Sequence, residues 1–584
     1  MRKQLTDLRQ KMKEHHIDVY LIPTTDFHES EYVNDYFKCR EFVSGFTGSA
    51  GTLVVTMDEA RLWTDGRYFL QAAAQLSGSG IDLMKIGEPG VPTIMEYLEQ
   101  TLSGDTILGF DGRTCSSGKT FDEKFNISTD IDLVDEIWDD RPQIVPSEIY
   151  PLDLSVTGES SASKLDCIRE FMKKKNADYH LTASLEEIAW IYNLRGSDVD
   201  HTPVFFAYAL ITPDEDRLYV MDETFITGCG GSLSGKRGYA NGNMVLPYGQ
   251  FFDDIRKLPA GTMLLNESIT NYAIIRSLPP GMKTVSGENP ASLFKTVKNP
   301  VEIASTKAAH MKDGAAMAEF LYWLKSNIGK LKITEISASD HLDSCRRQHE
   351  AFDLSFGTIS GYAENGAIIH YSATAETNKT LQPEGLYLVD SGGQYPGGTT
   401  DITRTVALGP LTDEMKSHYT AVLKGHIALS SAPFKPGTTG AELDAVARQP
   451  LLDAGLNYNH GTGHGVGHLL GCHEGPQTIS PRGKVHAIEP GMINSDEPGV
   501  YIEGSHGIRL ENEILCIDLE NGFYGFEPIT FCPFDRNAIA ADQLTDDELA
   551  WINDYHAQVY EKIGPLVGDD VREWLKAETQ AIER

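Results

Sequence analysis

The chain has 584 residues, more than one hydrophobic core commonly holds, so its length predicts two to four domains. Lys and Arg together number 50 against 84 Asp and Glu, which gives a net charge of −34. Such an acidic surface repels phosphate backbones and anionic lipids, and no apolar run approaches the roughly 20 residues of a membrane helix. We therefore expect a soluble globular protein that has neither nucleic acid nor a membrane as a partner.

The N-terminal segment and the cysteines bear on the cellular compartment. The first apolar stretch, residues 17–23, is interrupted by Asp18 and does not read as a secretory signal peptide. The eight cysteines are scattered between Cys39 and Cys532 and form no Cys-x-x-Cys pair. Because a chain of this length does not depend on disulfides, these features predict a protein of the reducing cytoplasm.

A pattern near the N-terminus returns 160 residues later. An amphipathic helix at about residues 5–15 is followed by a short charged turn and an apolar strand at residues 19–23. Five identities at the same offset relate the two copies: Arg9 and Arg169, Met12 and Met172, Lys13 and Lys173, Asp18 and Asp178, Leu21 and Leu181. The repeat predicts two similar α/β domains, residues 1–150 and residues 151–297.

A third region, residues 298–584, opens with the start of a long helix. Asn299 suits the N-cap, Pro300 the first helical position and Glu302 the first turn. Beyond this helix the pattern predicts strands at 386–390, 399–408, 492–494 and 508–517, and helices at 413–430, at 440–454 and over the last ~40 residues. This mixture favours an α+β domain with an antiparallel, curved sheet.

Acidic and histidine residues gather at the ends of the predicted strands in this third region. Asp390 closes one apolar run, and Asp401 opens the next. The glycine-rich segment HGTGHGVG at 460–467 contains His460 and His464, which would face the same side of a strand because they are four residues apart. Its glycines argue against a helix and allow close contact between backbones.

Two further carboxylates belong to the same constellation. Glu497 stands before a Pro-Gly turn, and Glu511 shares one face of a predicted strand with Arg509. Four carboxylates and one imidazole suit hard divalent ions such as Mn²⁺, with carboxylates that bridge two metal ions. Cysteine is absent from this set, so a structural zinc site is disfavoured.

Other hydrolytic mechanisms find little support in the sequence. The chain contains no Gly-x-Ser-x-Gly, the motif of the serine-hydrolase nucleophile. His349-Glu350 and His473-Glu474 are not followed by a second histidine three residues after the glutamate, as a zincin helix requires.

The spacing of these residues resembles that of the pita-bread metallopeptidases, the group that contains methionine aminopeptidase, prolidase and aminopeptidase P. The resemblance rests on Asp390, Asp401, HGTGHGVG, EPG at 497–499 and GIRLEN at 507–512. Five segments of the first two regions are similar to the long, three-domain, cytosolic Xaa-Pro aminopeptidases: FVSGFTGSAG at 42–51, WTDGRYFLQ at 63–71, EIAW at 187–190, NLRG at 193–196 and PVFF at 203–206. The resemblance covers nearly the whole chain.

The resemblance implies a fold and a metal site. Two creatinase-like α/β domains would precede a pita-bread catalytic domain that ends in a helical extension. The catalytic domain would hold two divalent metal ions, most favourably Mn²⁺. Asp401 and Glu511 would bridge the two ions, and Asp390 would complete the shell of one ion. His464 and Glu497 would complete the shell of the other.

The resemblance also implies an activity and the residues that serve it. The enzyme would remove the N-terminal residue from peptides whose second residue is proline, a residue whose amide nitrogen carries no N–H. Glu497 would handle the proton of a water or hydroxide between the metals, and Arg509 would orient a carboxylate or line the pocket. Three histidines would position the scissile carbonyl and stabilise the oxyanion: His370, in IHY at 369–371, His460 and His473.

Two alternatives stay open beside this interpretation. Prolidase, which cleaves Xaa-Pro dipeptides, typically has a single N-terminal domain, whereas two are predicted here. A non-catalytic pita-bread module would bind peptides without metal, but all five candidate ligand positions carry side chains that can bind one. The resemblance further implies that the protein forms a homodimer.

Overall fold

The structure is a computed structural model that describes residues 2–116, 118–231, 238–240 and 242–584. These residues form two compact units. The first consists of Met1–Leu154 and Glu159–Leu293, and the second of Ser155–Gly158 and Phe294–Arg584. Among the described helices, none has both the length and the apolar character that crossing a bilayer requires. All eight cysteines are free thiols.

The N-terminal sheet of the first unit has six strands in the order β4-β3-β2-β1-β5-β6. These strands are β1 (Val19–Pro23), β2 (Thr52–Thr56), β3 (Ala60–Thr64), β4 (Asp82–Lys85), β5 (Ile107–Gly109) and β6 (Asn126–Ser128). The accompanying helices are α1 (Lys3–Glu14), α2 (Cys39–Ser44), α3 (Phe69–Gln75), α4 (Ile94–Thr101) and α5 (Gly118–Asp122). Helices α1 to α3 and helices α4 and α5 join separate hydrophobic clusters with alternate strand residues, so both faces of the sheet are covered.

A second sheet of seven strands follows in the order β12-β13-β11-β10-β8-β14-β15. The strands after β6 are β7 (Tyr150–Pro151), β8 (Tyr179–Thr182), β9 (Leu194–Arg195), β10 (Ala207–Ile211), β11 (Asp216–Val220), β12 (Gly238–Ala240), β13 (Asn243–Pro247), β14 (Thr262–Leu265) and β15 (Lys283–Ser286). The helices are α6 (Leu154–Thr157), α7 (Ser161–Lys174), α8 (Leu185–Tyr192), α9 (Glu223–Gly228), α10 (Phe251–Ile255), α11 (Tyr272–Ser277) and α12 (Pro290–Thr296). β7 and β9 pair separately.

The predicted repeat is confirmed at the level of single hydrogen bonds. Arg9 Nε donates to the carbonyl of Thr56 across 2.8 Å, and its counterpart Arg169 donates to the carbonyl of Thr212 across 3.1 Å. Asp18 and Asp178 each accept a backbone N–H at 2.8 Å from the parallel neighbouring strand of the sheet. The two sheets also share their strand order, apart from the additional edge strand β12. The repeated side chains therefore make equivalent hydrogen bonds in the two domains.

The second unit begins with the long helix that the sequence predicts. α13 (Pro300–Asn327) has Asn299 as its N-cap, which accepts hydrogen bonds from the backbone N–H groups of Val301 and Glu302. The other helices are α14 (Glu335–Gln348), α15 (Asp413–Ser430), α16 (Gly440–Asp453), α17 (Asp546–Ile563) and α18 (Asp569–Glu578). Helices α15, α17 and α18 contribute to one large hydrophobic cluster of this unit, which confirms that the helical C-terminal segment packs on the core.

The strands of the second unit are short, and all the pairs they form are antiparallel. They are β16 (Asp353–Leu354), β17 (Ile359–Tyr362), β18 (Leu386–Ser391), β19 (Gly393–Tyr395), β20 (Gly398–Thr399), β21 (Ile402–Ala407), β22 (Gly463–Gly465), β23 (Glu474–Ile479), β24 (Ile493–Asp496), β25 (Gly499–Ile502), β26 (His506–Arg509), β27 (Asn512–Asp518) and β28 (Tyr524–Pro528). The main sheets have the orders β17-β18-β21 and β23-β22-β24-β27-β28.

Three expectations about strand continuity are wrong in detail. The predicted strand 399–408 is interrupted before Asp401, and the predicted strand 508–517 is interrupted before Glu511. The two histidines of HGTGHGVG do not share a strand, because β22 includes His464 but not His460. In each case a predicted site residue lies at the break.

Candidate metal centre

The five predicted metal ligands come from five different places in the second unit. Asp390 lies in β18 and His464 in β22. Asp401 lies between β20 and β21, Glu497 between β24 and β25, and Glu511 between β26 and β27. Sheet pairing draws these segments together, since β18 pairs with β21, and β24 pairs with both β22 and β27.

The structure brings all five residues into overlapping groups whose ligand atoms lie within 4.8 Å of one another. One group contains Asp390, Asp401 and Glu511, and a second contains His464, Glu497 and Glu511. Glu511 is thus common to two groups, as a carboxylate that bridges two ions must be. A third group joins Asp401 and His464 to His473.

Glycines allow the backbones of this region to approach closely. A Cβ on Gly463 would lie 1.9 Å from the carbonyl oxygen of Ser495, and a Cβ on Gly465 would lie 2.4 Å from that of Glu474. Any larger residue at these two positions would push β22 away from its neighbours. The glycines of HGTGHGVG therefore place His464 at the centre of the site.

Three of the carboxylates have an oxygen that is prepared to bind a cation. Oδ1 of Asp390, Oδ1 of Asp401 and Oε1 of Glu511 are buried and have no hydrogen-bond partner in the described chain. A buried polar atom without a partner is costly, and a divalent ion would compensate for that cost. The donor set of oxygens and one imidazole nitrogen fits a hard divalent metal.

The opposite oxygens of the carboxylates are held by protein donors. Arg509 donates to Asp390 Oδ2 across 2.6 Å, and Thr403 Oγ1 donates to Glu511 Oε2 across 2.6 Å. Ser495 Oγ donates to Glu497 Oε1 across 3.2 Å. Each contact fixes one oxygen of a ligand and leaves the other for an ion, an arrangement that orients ligands in metal sites.

The imidazole of His464 is oriented in the same way. Its Nδ1 lies 2.9 Å from the carbonyl of Gly465, so Nδ1 carries the proton in the neutral ring and Nε2 can act as a ligand. Nε2 faces Asp401 and Glu497, at 3.5 Å from an oxygen of each. Burial lowers the pKa of this histidine, but the two carboxylates outweigh burial and raise the pKa to about 9.

Burial, together with repulsion between neighbouring negative charges, raises the pKa values of two of the carboxylates. Burial and the charges of Asp401, Glu497 and Asp390 raise the pKa of Glu511 well above its usual value. Burial likewise raises the pKa of Glu497 to about 7. Several negative charges in a buried volume favour either protons or cations.

One predicted substrate-binding residue, His473, lies directly against this cluster. Its ring stands edge-on to that of His464 with centroids 4.5 Å apart, and it is also within reach of a metal ion. Arg509 Nη2 donates to the carbonyl of Ile369 across 3.4 Å and to Asp390, so the backbone next to His370 contacts the same guanidinium as a candidate ligand. The substrate-binding roles of these residues stay predictions.

His460 is connected to Arg509 by Tyr501, a residue that the sequence analysis did not identify. Tyr501 accepts a hydrogen bond from Arg509 Nη1 at 2.7 Å, and its oxygen lies 2.8 Å from His460 Nε2. In the neutral ring of His460 the proton lies on Nδ1, which faces a backbone carbonyl, so Nε2 accepts and the hydroxyl of Tyr501 donates. His460 Nδ1 in turn lies 2.7 Å from the carbonyl of Gly461.

Three other residues that donate hydrogen bonds to the carboxylates were also missed: Thr403, Ser495 and Cys472. The thiol of Cys472 donates to Asp401 Oδ2 across 3.2 Å. A signal existed for two of them. Thr403 and Ser495 each lie two residues from a predicted ligand, the spacing that places side chains on one face of a strand. Cys472 lies far from Asp401 in sequence, so no spacing connects them.

Comparison with known families accounts for nearly the whole chain. Residues 304–518 match the family described as "Metallopeptidase family M24", and residues 522–582 match the "C-terminal region of peptidase_M24". Residues 4–141 and residues 140–302 each match a "Creatinase/Prolidase N-terminal domain". The expected sequence of two creatinase-like domains and a pita-bread domain is thereby confirmed.

Individual relatives are similar over their full lengths. The chain is 41% identical to "Probable Xaa-Pro aminopeptidase P" of Fusarium vanettenii, over 99% of each chain. It is 38% identical to the protein of the same name from Coprinopsis cinerea, over 99% of this chain and 98% of the relative. Among solved structures, the X-prolyl aminopeptidase of Caenorhabditis elegans, a cytosolic enzyme with a di-nuclear active site, superposes with a TM-score of 0.93 at 32% identity and 99% coverage of both chains.

Proposed function

The chain belongs to metallopeptidase family M24, and we propose that it is an Xaa-Pro aminopeptidase. The enzyme hydrolyses the peptide bond between any N-terminal residue and a penultimate proline. The observation that carries this proposal is the convergence of four carboxylates and one histidine in a chain that is similar over its full length to enzymes of that name.

We assign two divalent ions to the metal centre, and Mn²⁺ is the metal we favour because the ligands are mainly oxygens. Asp401 and Glu511 would contact both ions, Asp390 one of them, and His464 and Glu497 the other. The unpartnered oxygens of Asp390, Asp401 and Glu511 support this assignment, as does the orientation of His464 Nε2. When bound, such ions lower the pKa of water and polarise a carbonyl group.

The protein's own side chains would complete the reaction. Glu497 accepts the proton of the attacking water on its carboxylate and returns it to the leaving proline nitrogen. Three histidines bind the substrate around the scissile carbonyl and stabilise its developing negative charge: His370, His460 and His473. Arg509 donates hydrogen bonds to Asp390 and to Tyr501. It orients the carboxylate of Asp390 and lines the substrate pocket.

Proline at the second position suits a site of this kind. Its amide nitrogen has no hydrogen, so peptidases that grip this N–H cannot use the bond. The pyrrolidine ring also fixes the backbone φ angle, which reduces the entropy that substrate binding must overcome.

Prolidase is the nearest competing function. The full-length likeness to Xaa-Pro aminopeptidases, including both N-terminal domains, favours the aminopeptidase. We retain the domain limits 1–150, 151–297 and 298–584, a cytoplasmic location and a homodimer as parts of the proposal. Light scattering that gives a mass near 64.4 kDa, the mass of one chain, would refute the dimer.

Three peptides test the function. We expect rapid release of Arg from Arg-Pro-Pro with added Mn²⁺, and loss of this activity with a chelator. Gly-Pro and Met-Ala-Ser serve as the prolidase and general aminopeptidase substrates. Cleavage of Gly-Pro alone would identify a prolidase, and cleavage of none of the three would favour a binding module.

A further inference from the structure

Asp401 holds a central position in the metal centre. It belongs to two of the three groups that could bind an ion, one with Asp390 and Glu511 and one with His464 and His473. Its Oδ1 is buried and has no hydrogen-bond partner in the described chain. Its Oδ2 lies 3.2 Å from Cys472 Sγ and 3.5 Å from His464 Nε2.

His464 cannot be the hydrogen-bond donor that orients Asp401 once an ion is bound. Its Nδ1 already faces the carbonyl of Gly465, so the neutral ring carries its proton there. The lone pair of Nε2 is then directed at the ion and has no hydrogen to offer to a carboxylate. The thiol of Cys472, by contrast, donates to Asp401 Oδ2 across 3.2 Å, and binding of an ion by His464 does not remove this donor.

The contact completes a pattern shared by the carboxylates of the centre. Arg509 holds Oδ2 of Asp390, Thr403 holds Oε2 of Glu511, and Ser495 holds Oε1 of Glu497. At Asp390 and Glu511 the opposite oxygen is buried without a partner, as it is at Asp401. Cys472 thus occupies for Asp401 the place that a guanidinium or a hydroxyl occupies for the other carboxylates.

Cys472 acts through Asp401 and not as a ligand itself. Among the described residues, the groups of side chains close enough to share an ion do not include its sulfur. The residue is 1% exposed, so its side chain is held in place by its surroundings. A thiol is a weaker donor than a hydroxyl, but between buried groups even a weak donor restrains the rotation of a carboxylate.

We propose that Cys472 is a positioning residue of the metal centre, whose S–H group holds Asp401 Oδ2 and so keeps Oδ1 turned toward the ions. This inference rests on the proposed metal centre. It predicts that the thiol contributes to metal affinity, since loss of a group that orients a ligand commonly weakens metal binding 10- to 100-fold.

Three variants of the full-length protein test the proposal. Cys472→Val keeps the size of the side chain and removes the donor, whereas Cys472→Ser retains a donor. Cys516→Val is the matched control, because Cys516 is also 1% exposed and lies in a hydrophobic cluster of the same unit. Chelated protein is titrated with Mn²⁺, free Mn²⁺ is read by electron paramagnetic resonance, and the melting temperature of each chelated variant is recorded.

We expect the Kd of Cys472→Val for Mn²⁺ to rise about 10-fold, while Cys472→Ser stays within about threefold of wild type and Cys516→Val is unchanged. Equal affinity of Cys472→Val and wild type, or equal weakening by valine and serine, would overturn the inference. If wild type itself binds no Mn²⁺, the metal centre and the inference both fail. If wild type binds two ions and Cys472→Val binds them as tightly, only the inference fails.

Discussion

The guanidinium of Arg509 contacts Asp390, one of the candidate metal ligands. It is 2% exposed, and its Nε and Nη2 both donate to Asp390 Oδ2, at 3.2 and 2.6 Å. A third nitrogen, Nη1, reaches Tyr501. Three directed contacts from one planar group explain why a lysine, which offers a single point charge, would not replace it.

Removal of this guanidinium should destabilise the protein most when no metal is bound. In Arg509→Met, Asp390 keeps its place in the interior but loses its cationic partner, which costs about 3 kcal/mol or more for a buried pair. Divalent ions would supply the missing positive charge. We therefore expect a large loss of unfolding free energy in chelator and a smaller one in Mn²⁺, measured by urea denaturation of the second unit.

Arg509→Lys is the control for charge without the planar fork, and it should lie between Arg509→Met and wild type. The same loss for Arg509→Met with and without Mn²⁺ would mean that Asp390 does not face an ion.

His556 makes the stability of the protein sensitive to acid, and it is not one of the candidate metal ligands. The residue is fully buried in α17, and the backbone N–H of Phe534 donates to its Nε2 at 3.2 Å. Burial, with the nearby charges of Arg536 and Arg404, lowers its pKa to about 3. The folded state therefore keeps this ring neutral.

The direction of the pH effect follows from the lowered pKa. Above the unfolded value of about 6.5 neither state takes up a proton, but below it the unfolded chain does and the folded chain does not. Stability is thus lost as the pH falls from about 6.5 toward 3, by about 2 kcal/mol at pH 5 from this residue.

His556→Gln retains an acceptor for the Phe534 N–H and has no ionisable group. We expect its unfolding free energy in chelator to fall between pH 7.5 and 5 by about 2 kcal/mol less than that of wild type. Parallel losses in the two proteins would contradict the assignment.

Whether a site residue can be predicted from the sequence depends on whether it belongs to a local motif or acts through a tertiary contact. The five candidate ligand positions could be identified from the sequence, because Asp390, Asp401 and HGTGHGVG stand in an order, and among neighbours, that resemble those of a known family. Tyr501 and Cys472 could not, since their roles come from contacts with Arg509 and Asp401 that only folding creates. A hydroxyl or thiol in isolation carries no pattern.

At the scale of elements, the two broken strands are instructive. The sequence predicts continuous strands through Asp401 and Glu511 because segments with alternating apolar residues, 402–406 and 508–510, adjoin them. The chain instead leaves the ladder there, and the Thr400 carbonyl packs so tightly on Gly392 that a Cβ at that glycine would lie 1.8 Å away. Such breaks aim a carboxylate into the site, which alternation alone does not anticipate.

The start of α13 was predictable because capping is local. The side-chain oxygen of Asn299 caps the helix, and the backbone N–H of Asn299 donates to Glu302 Oε2 across 2.9 Å. The side-chain Nδ2 of Asn299 also donates to the carbonyl of Thr157 across 2.9 Å, a contact that the sequence does not predict.

Replacement of this cap should weaken the second unit. We expect Asn299→Ala to cost about 1–2 kcal/mol of unfolding free energy, since two backbone N–H groups lose their acceptor. Asn299→Asp keeps the acceptor and loses only the contact to Thr157, so it should cost less. Chemical denaturation followed by fluorescence measures both, and equal losses in the two variants would show that the Thr157 contact, which both lack, contributes the stability and that the cap does not.

At the scale of the whole molecule, the functional residues are distributed unevenly. All five candidate ligands and the three candidate substrate histidines belong to the second unit, whereas the first unit consists of the two repeated sheets. The repeat was visible in the sequence because its shared residues bond to their own sheets, as Asp18 and Asp178 do.

This division predicts how metal affects unfolding. An ion that binds only the folded second unit stabilises that unit by RT ln(1 + [L]/Kd), about 2.7 kcal/mol at 100 times Kd, and leaves the first unit unaffected.

Hydrogen exchange measured with and without Mn²⁺ tests this prediction. We expect Mn²⁺ to slow exchange in α13, β18 and β27 but not in β1 or β8. Thermal melting should accordingly contain a component that rises with Mn²⁺ and one that does not. KCl at the same ionic strength is the control for nonspecific screening of a chain with a net charge of −34, because it would slow exchange in both units if screening were the cause. Equal protection of β1 and β18 by Mn²⁺ would show that the metal acts on the chain as one cooperative body.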